Sequence, residues 1–271
     1  MEIIYKFLPA ERLSYLNDEF LRVTQPGDLN DPFECLPIPP TTEEIVSIIN
    51  KVIDQKIIDL KGTKKQKEAH RKTLVASFQR EIDDVRKNKE VNFKTKFITT
   101  STKAVNDSMG LISFSRRWNS SLMWAHYANS HKGFCIGFNS TAEFFSKHRN
   151  LDESPIIFHS VEYSNNRIKV PLLKGEQVDP RVMLTKSKDW EYEDEERLLV
   201  SLHLTDKVIP SFPFDIFLLK VPHLLIKEII LGRNINEEHA EKLISFGRKH
   251  SIDIYRATIS EERFDMERHI I

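Results

Sequence analysis

Cysteine is scarce: Cys35 and Cys135 are the two in 271 residues, and they stand far apart. Two isolated cysteines build neither a disulfide framework nor a CxxC metal pair, and a reducing cytosol is the compartment they suit. An excess of one charge is missing too. Lys plus Arg number 40 and Asp plus Glu 40, so no global field draws the chain to nucleic acid or a membrane. No run approaches the roughly 20 apolar residues of a membrane span. The opening Met1-Glu2-Ile3-Ile4-Tyr5-Lys6 lacks a basic region followed by a long apolar stretch. A soluble, cytoplasmic protein without a membrane partner is therefore expected. P-loop, GxGxxG, GxSxG and HExxH motifs are all absent, which removes the common nucleotide-binding, hydrolase and zincin readings. There is no internal repeat and no low-complexity tract.

The chain has ample apolar material, with 40% hydrophobic residues and 17 Phe, enough for a sizeable core. Its length suits one large domain or a domain carrying an insertion. Short strands are expected at residues 3–7, 20–23, 110–114, 133–138 and 161–163, with a further one inside 190–202. Between residues 41 and 92 the pattern changes. Ile45, Ile48, Ile49, Val52 and Ile53 recur at helical spacing, as do Leu74, Phe78, Ile82 and Val85, with a bend near Gly62. The stretch from Lys51 to Lys103 holds 15 Lys/Arg against 7 Asp/Glu, so it is locally basic. A solvated helical face explains such a run more readily than an acidic partner or nucleic acid. Near the end, a strand at 226–231, a helix at 237–250 capped by Asn236 and a strand at 252–258 have a βαβ rhythm. The expectation is one α+β domain over residues 1–271: a mixed, curved sheet with flanking helices, a helical hairpin inserted at 41–92, and a C-terminal βαβ unit.

Two stretches carry chemistry. In the first, a strand ends at Ser115, a short helix presents Trp124, His126 and Tyr127, and His131 precedes the strand Gly133-Phe134-Cys135-Ile136-Gly137-Phe138. Helical spacing puts Met123, His126 and Tyr127 on one face. Trp124 and Met123 read as core. In the second, Lys188-Asp189-Trp190-Glu191-Tyr192-Glu193-Asp194-Glu195-Glu196-Arg197, strand alternation would align Glu193, Glu195 and Arg197. Carboxylates brought together in this way need a cation, which Arg197, Lys188 or a metal could supply, and they are candidates for acid/base work. An exposed acidic strand start pairing with arginines is the plainer alternative.

These motifs, together with Tyr5-Lys6, Asn30-Asp31-Pro32-Phe33-Glu34 and Glu228-Ile229-Ile230-Leu231-Gly232, resemble the bacterial family called domain of unknown function 2971. The resemblance runs nearly the whole length outside residues 41–92. Where the family pattern wants a bulky residue this chain has Glu196, which would make its acidic cluster denser. The order of elements also resembles a compact ADP-ribosyltransferase, at the level of layout. That resemblance implies NAD as cofactor, with Glu195, Glu193, Tyr127 and Ser115 in catalytic roles. Tyr5, Lys6, Asn30, Asp31, His126, His131 and Arg197 would hold NAD. Lys6 stands where such enzymes have Arg or His. Glu195 would polarise the ribose and stabilise the oxocarbenium-like transition state. No metal is implied. A role in bacterial conflict or phage defence follows from the tendency of such families. Candidate partners are a macromolecular target, protein or nucleic acid, and a second copy of the chain. Alternatives are a metal-dependent nuclease or phosphodiesterase using Asp31, Glu34, Glu193 and Glu195, and a non-enzymatic sensor or interaction module. A zinc site from His126, His131 and Cys135 suits the residue types but has irregular spacing.

Overall fold

The computed structural model describes residues 2–86, 90–147, 157–169 and 179–271. Along the chain, strand β1 (Ile3–Leu8) leads through a 3-10 turn to helix α1 (Tyr15–Asp18) and strand β2 (Phe20–Val23). Three long helices follow: α2 (Thr42–Asp59), α3 (Lys64–Arg86) and α4 (Glu90–Ser108). Then come β3 (Met109–Ser115), α5 (Ser121–Tyr127), β4 (Phe134–Asn139), α6 (Glu143–Lys147), β5 (Phe158–Ser160) and β6 (Glu162–Ser164). Next are α7 (Arg181–Leu184), β7 (Thr185–Ser187), β8 (Glu195–Ser201), β9 (Lys207–Ile209) and β10 (Ile216–Lys220). The chain closes with β11 (Ile226–Leu231), α8 (Glu237–His250), β12 (Asp253–Ile259) and β13 (Met266–Ile270).

The fold is α+β. Among the described residues, eight strands form one sheet in the order β13-β12-β11-β4-β1-β3-β8-β5, mixed because β11 and β12 run parallel and the other pairs antiparallel. That parallel pair is joined by α8, which makes the expected βαβ unit. Helix α8 carries its own start and stop signals. The Asn236 side chain accepts from His239 N, Glu237 and Glu238 occupy the first turn, and Ser251 ends the helix at a left-handed φ of 55°. Its buried residues Ala240, Leu243 and Phe246 recur at helical spacing and join the main core. The central strand β4 is almost wholly buried, as a strand covered on both faces must be. Alternation sends Phe134, Ile136 and Phe138 into one apolar cluster and Cys135 into another, which also contains Trp124. Two smaller sheets, β2-β10-β9 and β6-β7, hold the other strands among the described residues; β5, β7, β9, β10 and β13 have no counterpart in the sequence expectation.

The chain divides into two compact units, one made of residues 1–34, 105–166 and 183–271, the other of residues 35–104 and 167–182. In the second unit α2 starts at a capping box, with Thr41 and Glu44 exchanging side-chain-to-backbone bonds. Ile45 and Ile53 are buried there, and Leu74 and Phe78 are half-buried. The side chains of Ile82 and Val85 lie outside those described. The helical segment is longer than the hairpin expected at 41–92, since α4 continues to Ser108.

Between α5 and β4 the chain reverses through Asn129, Ser130 and His131, all at positive φ. His131 N reaches back to the Trp124 carbonyl and Gly133 N to that of Ala128. A Cβ on Gly133 would lie 2.1 Å from the Leu8 carbonyl oxygen, a backbone atom that cannot step aside. Gly133→Ala is therefore expected to lower stability by about 1–3 kcal/mol in urea denaturation through overpacking; an unchanged midpoint would contradict this packing.

Candidate functional site

The site is built within the first unit, where strands β1 and β3 share only the partner pair Tyr5↔Ser115. A cavity of about 360 Å³ lies against their diverging ends and the neighbouring β7–β8 segment. Four local features aim side chains at it. The Asp31 carboxylate accepts from Phe33 N at 2.9 Å, an Asx-type turn after which Glu34 is buried while Phe33 stays exposed. Helix α5 is capped by Ser120 and ends at Tyr127. The segment Lys188–Glu193 is a 3-10 turn capped by Ser187 and closed by Asp194 in the left-handed region, φ 43°. Strand β8 begins only at Glu195.

That last point corrects the strand reading of residues 190–202. Glu193 is not on the strand with Glu195; the left-handed Asp194 folds the chain so that both carboxyls meet at one amine. The amine belongs to Lys186 and not to Lys188, which is exposed. Lys186 Nζ lies 2.9 Å from Glu34, 2.6 Å from Glu193 and 3.3 Å from Glu195, so its three protons face three carboxylates. Arg197 completes the network. Its Nε and Nη2 grip Glu195 at 2.7 and 2.9 Å, Nη2 also pairs with Glu34, and Nη1 donates to the Met183 carbonyl at 2.6 Å. All five ionic side chains are buried. Glu196, by strand alternation, leaves this group and meets Arg116 and Ser160 instead, so it does not thicken the cluster.

Tyr5, Lys6, Asn30 and His126 line the cavity, as do Tyr127, Glu193, Glu195 and Arg197. Tyr127 donates to Glu193 Oε1 at 2.5 Å and accepts from Asn30 at 3.3 Å, a chain running from an exposed amide to a buried carboxyl. Three expected site residues stand elsewhere. Ser115 is fully buried behind the cavity, its Oγ 2.5 Å from the Glu193 carbonyl, where it fixes the turn. Asp31 shapes its own loop. His131 stacks on Trp124, ring centroids 6.3 Å apart and nearly parallel. Arg197 lines the cavity, but its donors are engaged within the protein, so it positions Glu34 and Glu195. Trp124 is core, its Nε1 bonded to the Trp118 carbonyl at 2.8 Å. Lys186 and the full part played by Glu34 escaped the sequence reading. Lys186 sits in the short segment Leu184-Thr185-Lys186-Ser187, which carries no periodic signal. Among the described residues no group of three or more His, Cys, Asp and Glu is placed to hold a metal ion.

Electrostatics separate the two central carboxyls. Burial opposes ionisation of Glu195, but the Arg197 guanidinium, with its hydrogen bonds, and Lys186 outweigh it and hold the pKa down at about 2. Burial dominates at Glu193, with the Glu195 charge adding to it, so its pKa is raised despite Lys186. Burial also opposes the charge on Lys186, yet Glu195, Glu34 and Glu193 raise its pKa. The Tyr127 hydroxyl is pushed up by burial and by the Glu193 charge. Lys6 is pulled down to about 8 by burial, although Glu195 favours its charged form.

Removing one member leaves the others buried and uncompensated. Lys186→Met and Arg197→Met are each expected to cost about 3–5 kcal/mol in denaturant unfolding; a loss below about 1 kcal/mol would contradict the network. The depressed pKa of Glu195 gives stability that is present above the ordinary carboxylate value of 4.5 and is lost as pH falls towards about 2. Stability measured against pH is expected to fall through that window in the wild type and less steeply in Glu195→Gln; equal slopes would sink the assignment.

Neither a curated protein nor a solved structure matches the chain. Residues 123–198, which run from α5 through β8 and so include Tyr127, Lys186, Glu193, Glu195 and Arg197, match the family described as Protein of unknown function (DUF2971). Over that segment alone the chain is similar to the DUF2971 family, and the segment places Tyr127, Lys186, Glu193, Glu195 and Arg197 on the cavity wall.

Proposed function

We propose that the cavity binds NAD as substrate and breaks its nicotinamide–ribose bond, passing ADP-ribose to a nucleophile, as an ADP-ribosyltransferase-like enzyme does. The observation that carries this reading is the pair of cavity carboxyls, Glu193 and Glu195, pushed in opposite directions by their surroundings. Two titratable groups driven apart in this way mark an acid/base assignment. Glycosyl transfer passes through an oxocarbenium-like state, which a fixed carboxylate stabilises.

The geometry divides the work. Arg197, Lys186 and Ser113 all hold Glu195, which leaves it an ionised anchor behind the site. Among the described residues Glu193 is held by Tyr127 and Lys186, one bond to each oxygen, so each oxygen keeps a lone-pair direction for a ribose hydroxyl. As the C–N bond breaks, its electron pair goes to the pyridinium nitrogen and neutralises it. Positive charge moves to the ribose, near Glu193. The incoming nucleophile gives its proton to the Glu193 carboxylate. Tyr127 and His126 offer aromatic faces to the leaving ring. The volume of about 360 Å³ falls at the lower end of the range for small-molecule sites. A metal-dependent reading would need a cation among Glu34, Glu193 and Glu195, and Lys186 and Arg197 already fill that place.

With water as acceptor, wild-type protein is expected to release nicotinamide from NAD. Glu193→Gln should lower kcat by about 10²–10³-fold, the cost of losing one transition-state contact, while its melting temperature stays well above that of Lys186→Met. Because Glu193 must be ionised and its pKa is raised, the rate should fall on the acid side at a pH above the ordinary 4.5. No nicotinamide release by the wild type, or full activity in Glu193→Gln, would overturn the proposal.

A further inference from the structure

Lys6 and Lys186 line the same cavity in opposite circumstances. Lys186 faces three carboxylates, whereas Lys6, among the described residues, makes no ion pair. The Lys6 ammonium donates to a neutral acceptor, the Ser113 carbonyl, at 2.7 Å. Nζ lies 5.8 Å from the centre of the Phe114 ring, and the charges that act on it, Glu195 and Glu193 in its favour and Arg12 against it, do so without an ion pair. Lys6 is only partly buried by surface area, and the cavity is where it is reached. A lysine on a cavity wall whose ammonium is bonded to a neutral carbonyl and to no carboxylate is placed to shed its proton and act as an amine.

We propose that the Lys6 amine is a carbonyl-capture site: an aldehyde or ketone entering the cavity condenses with it to an imine, and water is released. The nitrogen lone pair forms the C–N bond while the C=O π pair moves to oxygen, which takes up a proton. The nitrogen then loses a proton, the oxygen is protonated again, and water departs as the C=N bond forms, leaving a protonated imine that returns its last proton to solvent. No oxidant or reductant is consumed. The step needs a neutral amine and a nearby proton donor. Burial holds Lys6 at about 8, and solvent water supplies the proton. At pH 7.5 roughly a quarter of Lys6 is then neutral, against about one part in a thousand of an exposed lysine with an ordinary value near 10.4. The fitting ligands are small carbonyl compounds, open-chain sugars among them. The inference does not rest on NAD cleavage and stands or falls separately from it.

The test uses the intact protein without NAD. Glycolaldehyde at sub-millimolar concentration is added at pH 7.5 with sodium cyanoborohydride, which reduces an imine to a stable secondary amine, and the adduct is located by peptide mass mapping. Labelling at Lys6 is expected to be at least about tenfold faster than at exposed lysines such as Lys64 and Lys249, with a rate that rises with pH and levels off above about 8. Lys6→Arg should lose that adduct and keep the wild-type melting temperature. Labelling spread evenly over the lysines, or a spared Lys6, would overturn the inference, and both are read on the wild type without any variant.

Discussion

A guanidinium with no exposed surface has lost all its water, and only charge and hydrogen bonds from the protein can replace what water gave it. Arg197 is in that position. Its answer is Glu195 along one edge, Glu34 at one corner and the Met183 carbonyl at another. The carboxylates it attracts carry more negative charge than it can balance, which requires a second cation, and Lys186 is drawn in to meet Glu34, Glu193 and Glu195 together. The positions of the loop before Glu34, of β7 and of the turn before β8 all follow from this one constraint. Glu34 is the last residue of the first unit before its first excursion, and Met183 the first residue after its second. Arg197 therefore holds one end of each excursion against the strand that carries it.

The same constraint produces the site's chemistry. Three carboxylates against Lys186 and Arg197 leave one negative charge in excess, and in a buried setting that excess has to be relieved. Glu195, gripped twice by Arg197, stays ionised; Glu193, farthest from the guanidinium, is where a proton returns most easily. Tyr127 then fixes the Glu193 oxygen that faces α5. A structural ion network has thus set two carboxyls at different readiness on one cavity wall, beside an amine, Lys6, that among the described residues makes no ion pair. Stability and reactivity share residues here, which is why the substitutions that separate them are made at Glu193 and Lys6, on the cavity wall, and not at Arg197.

Much of the fold was legible because it is written in local signals. The strands around Gly110, Gly133 and Ile226 alternate or run apolar, Asn236 caps α8, and the α2 start is a capping box. Strands β5, β7, β9, β10 and β13 were not legible, since short segments such as Lys207–Ile209 have neither periodicity nor burial to announce them. At the site, Glu193, Glu195 and Tyr127 were legible from their clustering. Their arrangement was not, because a single left-handed residue, Asp194, replaced strand alternation with a turn. Lys186 was invisible for a different reason: its significance lies wholly in contacts with Glu34, Glu193 and Glu195, and Glu34 is distant in sequence. Ser115 was expected to be catalytic and Asp31 to hold NAD, and the hydrogen bonds of both serve the turns that hold the site.

The most direct test of a cavity whose cations are supplied by Lys186 and Arg197 is the melting temperature of the wild-type protein in EDTA, with and without NAD, beside the same protein with Mg²⁺ or Mn²⁺. A ligand that binds only the folded state raises the melting point with concentration. A concentration-dependent rise with NAD in EDTA, and none with the metals alone, is the expected result. A rise with Mg²⁺ or Mn²⁺ and none with NAD would contradict it.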